Sequence, residues 1–133
     1  MKTVYSCLLV LLIGITLACG YGSKNYNTAP ANGAIPAISE LSPDNTDAGG
    51  TSFTMTVNGS NFVSNANVNW NGVGQKTTFV TSNQLMITIP ASMISSPATV
   101  QITVTNPAST GNGPYGMGGV LAQTSKSVNF IIN

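Results

Sequence analysis

Much of this 133-residue chain is written with a period of two, and that alternation restricts it to sheet structure. In Phe53-Thr-Met-Thr-Val57 the apolar residues Phe53, Met55 and Val57 share one face, while Thr54, Thr56 and Asn58 share the other. The same pattern recurs in Asn65–Asn71, Gln84–Ile89, Thr99–Thr105 and Ser127–Ile132. Pro and Gly punctuate these runs at Pro43, Gly49-Gly50, Asn58-Gly59, Asn71-Gly72, Pro90, Pro97 and Asn106-Pro107. No window carries a 3.6-residue repeat, and Ala91–Ser96 has room for a single helical turn. The alternation predicts an all-β domain over residues 35–133: a two-sheet sandwich of about seven short strands. It places Phe53, Met55, Val57, Val68, Trp70, Leu85, Ile87, Ile89, Val100, Ile102, Val104, Val128, Phe130 and Ile132 inside, joined by Ile38, Leu41, Phe62 and Phe79. With about 1.5–3 kcal/mol of transfer free energy for each fully buried side chain, that set suffices for a core without disulfides.

The first 18 residues follow another rule. Lys2 precedes an apolar run from Cys7 to Ala18, after which the chain turns polar and Gly-rich. The run is shorter than the roughly 20 apolar residues that span a bilayer, so residues 1–18 read as an export signal rather than a transmembrane anchor. Thr16-Leu-Ala-Cys19-Gly20 resembles the lipobox of bacterial lipoproteins. In that pattern the Cys receives a diacylglycerol thioether and becomes the first mature residue. The match departs at Thr16 and Leu17, where the pattern prefers Leu followed by a small residue. Ordinary cleavage after Ala18 or Gly20, giving a secreted protein, is the rival reading. Cysteine usage favours the lipid: Cys7 is discarded with the signal, which leaves Cys19 without a disulfide partner.

Residues 19–34 then form the acylated Cys and a linker of Gly, Asn, Pro and Ser with almost no apolar content, expected to be flexible. Beyond the signal, Lys24, Lys76 and Lys126 balance Glu40, Asp44 and Asp47, so the mature chain is electrically neutral. Only 5% of all residues are charged and none is His. Catalysis by a His-containing relay and imidazole metal ligation are excluded, and no paired acid and base remains for other enzyme chemistry. Without a basic cluster there is no footprint for nucleic acid. No cofactor is expected.

Within the domain, Ile38-Ser-Glu-Leu-Ser-Pro43, Gly49-Gly50, Gly59-Ser-Asn-Phe62, Val68-Asn-Trp-Asn-Gly72, Leu85–Pro90 and Val100–Pro107 follow one another in an order that resembles the IPT/TIG family. The resemblance spans nearly all of 36–133 and implies an early-set immunoglobulin-like sandwich. It implies no catalytic residues, and a role as spacer, adhesion module or polysaccharide-associated domain. One copy is expected, with Phe130–Asn133 as its last strand.

Candidate binding residues follow from phase and composition. Trp70 alternates with Val68 and is expected in the core rather than on a sugar-binding surface. Opposite it, Asn65, Asn67, Asn69 and Asn71 form an amide row able both to donate to and to accept from polysaccharide hydroxyls; the plainer reading is that Asn solvates a strand where charge is scarce. Glu40, Asp44 and Asp47 hold every acid and constitute a weak calcium candidate, set against turn chemistry after Pro43. The long connection Pro107–Ser125 departs from the family's short turn and carries Tyr115 and Met117 in a Gly-rich setting suited to recognition. Alternatively, Val120–Ser125 extends the last strand in phase. The partners expected are membrane lipid, through acylated Cys19, and a surface protein or polysaccharide. A structural spacer or accessory subunit without a ligand is the alternative.

Overall fold

The computed structural model describes residues 31–111 and 118–133. Twelve strand segments and one short 3-10 turn make up the domain: β1 (Ala31–Asn32), β2 (Ala37–Ser42), β3 (Asn45–Thr46), β4 (Phe53–Ser60), β5 (Asn67–Trp70), β6 (Val73–Gly74), β7 (Thr77–Thr81), β8 (Gln84–Ile89), the 3-10 turn Ala91–Ile94, β9 (Ala98–Asn106), β10 (Val120–Leu121), β11 (Gln123–Thr124) and β12 (Val128–Ile132). A four-stranded sheet runs β2-β4-β8-β7. The opposing sheet runs β3-β12-β9-β5-β6, with β11 also on β9.

Two of the chain's passages between the sheets show how a crossing is made. Pro43 and Asp44 carry the chain from β2 in one sheet to β3 in the other, where β3 lies parallel to β12. After β6, the backbone N of Gln75 donates to Val68 O at 2.8 Å, and the Thr77 hydroxyl accepts from Val68 N at 2.9 Å. The crossing segment thus satisfies the backbone of β5 before it enters β7.

The core lies between the inner faces. Met55 and Val57 on β4, Leu85, Ile87 and Ile89 on β8, Val68 and Trp70 on β5, Val100, Ile102 and Val104 on β9, and Phe130 and Ile132 on β12 are all buried. Phe130 is the hub, stacked on Phe53 at 5.9 Å between ring centroids and tilted against Trp70 at 5.4 Å. Leu41, Phe62, Ala66 and Ile94 close the edges of the cluster.

Two local devices explain sequence signals. Asn71 and Gly72 both have positive φ, at 48° and 82°, the conformation a two-residue hairpin between β5 and β6 requires. Gly59 lies where a Cβ would collide with Ala37 O and fall 2.6 Å from the ring of Phe62, so the Gly-x-x-Phe spacing reflects an aromatic ring closing over a bare backbone.

Four expectations are corrected. Phe79 is 37% exposed because β7 is an edge strand whose register against β8 shifts between Phe79 and Thr81, leaving the ring at the rim. The strand expected over 65–71 contracts to Asn67–Trp70, because the Asn71-Gly72 hairpin ends it. Residues 31–34 are not free linker: β1 pairs parallel with β10, and the Asn106 amide donates to Ala34 O at 2.9 Å. The segment before β12 does not continue its phase. Thr124 is exposed and Ser125 buried, because three residues, Ser125–Ser127, separate β11 from β12 on their common neighbour β9.

Candidate functional site

The outer face of the larger sheet gathers the polar residues of four strands. Asn67 and Asn69 project from β5 opposite Thr105 and Thr103 of β9. On the other flank of β9, Asn129 of β12 lies opposite Gln101, and Thr124 of β11 lies opposite Thr105. The Asn69 amide donates to Thr103 Oγ1 at 3.1 Å and to Thr105 Oγ1 at 3.0 Å, and the Thr105 and Thr124 hydroxyls are 2.9 Å apart. Amides and hydroxyls are therefore held in register by one another. None of these side chains is charged, and Ile131, 39% exposed, adds an aliphatic neighbour beside Asn129. Such a surface offers donors and acceptors at fixed spacing with no charge to desolvate.

The four-Asn row is divided by the fold. Asn67 and Asn69 belong to this face. Asn65 sits in the preceding turn, closed by Ala66 N to Val63 O at 2.9 Å. Asn71 is spent on the β-ladder: its backbone N donates to Gln101 O at 2.9 Å, and its side-chain Oδ1 accepts from Gln101 N at 2.8 Å. Thr103, Thr105, Thr124, Gln101 and Asn129 join the face instead. Alternation marked the outward phase of Gln101, Thr103, Thr105 and Asn129 but not of Thr124, and only the pairing register brings all five beside Asn67 and Asn69.

The three acids do not converge. Glu40 is exposed on β2, opposite Asn58, and Asp47 lies in the turn before Gly49. Asp44 Oδ1 accepts from Asn45 Nδ2 at 2.7 Å, the local side-chain bonding of a turn. Among the described residues no three His, Cys, Asp or Glu side chains are grouped as a metal site. Glu40 and Asp44 only border one shallow depression with Ser42 and Asn129.

Cys19, Tyr115 and Met117 lie outside the described residues. The flanks of the Gly-rich connection are defined: Ser109 and Val120 exchange backbone hydrogen bonds at 3.0 and 2.9 Å, and Gly119 packs so closely on Ser109 O that a Cβ would approach it to 2.7 Å. That connection therefore springs from the same end of the sandwich as β1.

The family model for the IPT/TIG domain matches residues 36–117. No curated protein matches the chain. Domains of this kind are immunoglobulin-like binding or scaffold modules, typically non-enzymatic.

Proposed function

Because the chain belongs to the IPT/TIG family of immunoglobulin-like domains, we propose that it is an exported lipoprotein, held to a membrane of the cell envelope through acylated Cys19, whose domain binds a surface glycan or protein without catalysis. The observation that carries the binding role is the uncharged amide and hydroxyl face on which Asn69, Thr103, Thr105 and Thr124 are cross-linked, with Asn67 exposed beside them. A neutral sugar presents hydroxyls that match such a face, and side chains already fixed by one another lose little entropy on binding. The absence of His and the separation of the acids support a non-enzymatic role.

Pull-down on envelope polysaccharide tests this reading. Retention is expected for the wild-type chain, with weakened retention for Asn67→Ala with Asn129→Ala, both exposed and outside the core. Retention lost only in Tyr115→Ala with Met117→Ala would move the site to the Gly-rich connection. Retention unchanged in both would remove both sites, and a wild-type chain that is not retained would remove the glycan reading.

One observation favours the accessory-subunit alternative. Thr77–Thr81 is an edge strand without a charge, and Phe79 and Val80 are exposed on it, the kind of edge that accepts a strand from another chain.

A further inference from the structure

We infer that the end of the sandwich where the tether enters rests against the lipid surface through Ile35 and Leu121, so that the domain stands upright with its acidic end outermost. This placement rests on the proposed acylation of Cys19.

The tether is short and its arrival point is fixed. Only residues 20–30 separate Cys19 from β1, and a Gly-rich chain of that length has a mean end-to-end distance of about 18 Å. The chain is then clamped to one end of the domain by successive contacts. Ala31 and Asn32 pair with Val120 and Leu121, Gly33 lies against Leu121 O, and Asn106 holds Ala34 O. Asn61 Nδ2 then donates to Ile35 O at 3.1 Å. A domain held this way cannot swing its far end to the membrane as easily as its near end.

The near end presents two of the exposed aliphatics, and two of the three acids lie at the far end, which also carries Ile131 and, on its half, Lys76. Ile35 is 61% exposed and Leu121 47%, and both adjoin the clamp. Asp44 and Asp47 lie at the opposite end, where Ile131 N donates to Asp44 O and Ala48 N to Asn133 O. Strand β9 connects the two ends, from Ala98 beside Ile132 to Asn106 at the clamp, a length of about 27 Å. Glu40 lies about 10 Å along β2 from Ala37. Lys126, exposed, follows Ser125 on the near half of the domain. Two aliphatic side chains and Lys126 toward the headgroups, with Asp44 and Asp47 away from them, suit an anionic lipid surface. Two partly exposed aliphatics bind lipid weakly alone, but tethering makes the contact intramolecular.

The test uses the full acylated chain in phosphatidylethanolamine–phosphatidylglycerol vesicles carrying nitroxide-labelled lipid. An environment-sensitive fluorophore is attached at Ser109→Cys, near the clamp, or at Ser96→Cys, at the far end; both positions are exposed. The thiol of Cys19 is blocked by its own thioether. Quenching several-fold stronger at position 109 than at 96 is expected, falling toward the level at 96 when Ile35→Ser and Leu121→Ser are added. Equal quenching at both positions in a chain that floats with the vesicles would overturn the placement and leave the anchor standing. So would a contrast indifferent to the two serine substitutions. A chain that does not float would overturn the anchor and, with it, the placement.

Discussion

The side-chain amide of Asn106 donates to the carbonyl of Ala34, 72 positions earlier in the chain, at 2.9 Å. The same buried amide donates to Asn61 O at 2.7 Å, and its Oδ1 accepts from Val63 N at 3.3 Å. One side chain thus joins the incoming tether, the turn after β4 and the end of β9. Asn106→Ala would strand several polar groups, each costing about 1–3 kcal/mol where water cannot replace the bond. Urea unfolding should show a loss of about 2–4 kcal/mol, and amide exchange at residues 31–34 should accelerate more than exchange in the core.

At Gly59 the sheet and an aromatic ring approach too closely for any side chain. Gly59→Ala must displace either the Ala37 carbonyl or the Phe62 ring. An expected cost of about 1–3 kcal/mol follows from overpacking and is measurable as a lower thermal midpoint.

Phe130 contacts both Phe53 and Trp70 from the centre of the core. Phe130→Ala should remove about 3–5 kcal/mol of stability. Trp70 is the chain's one Trp and only 6% exposed, so its fluorescence reports the loss directly. The variant's emission should shift to the red at a lower denaturant concentration than that of the wild-type chain.

Ser125 replaces part of the β-ladder with its side chain. Its hydroxyl accepts from Val104 N at 2.9 Å and donates to Lys126 O at 2.8 Å, while Ser125 N donates to Val104 O. In Ser125→Ala the Val104 amide, at a buried position, loses its acceptor. A loss of about 1–3 kcal/mol is expected in chemical denaturation, with exchange of the Val104 amide rising before that of Ile102.

The strands and the core were readable because each depends on local alternation. Met55, Val57, Ile87 and Val104 are buried where the phase puts them, and Asn71-Gly72 makes the hairpin its dipeptide announces. What alternation cannot convey is position within a sheet. Phe79 has an inward phase but lies on an edge, so its ring remains partly in water. The slip at Ser125 and the docking of Ala31–Ala34 depend on partners in β9 and β10, far along the chain. For the candidate face, the sequence displayed the asparagines of β5 but not their register against Thr103 and Thr105. Register decides which amides face outward and which, like that of Asn71, are consumed by the ladder.

The account stands on a lipid at Cys19, and metabolic labelling with palmitate tests it most directly. The wild-type chain should incorporate label, Cys19→Ser should incorporate none, and globomycin should arrest processing of the wild-type precursor. Label retained in full by Cys19→Ser, or an unlabelled wild-type chain cut normally in globomycin, would contradict the tethered module and make this a secreted domain.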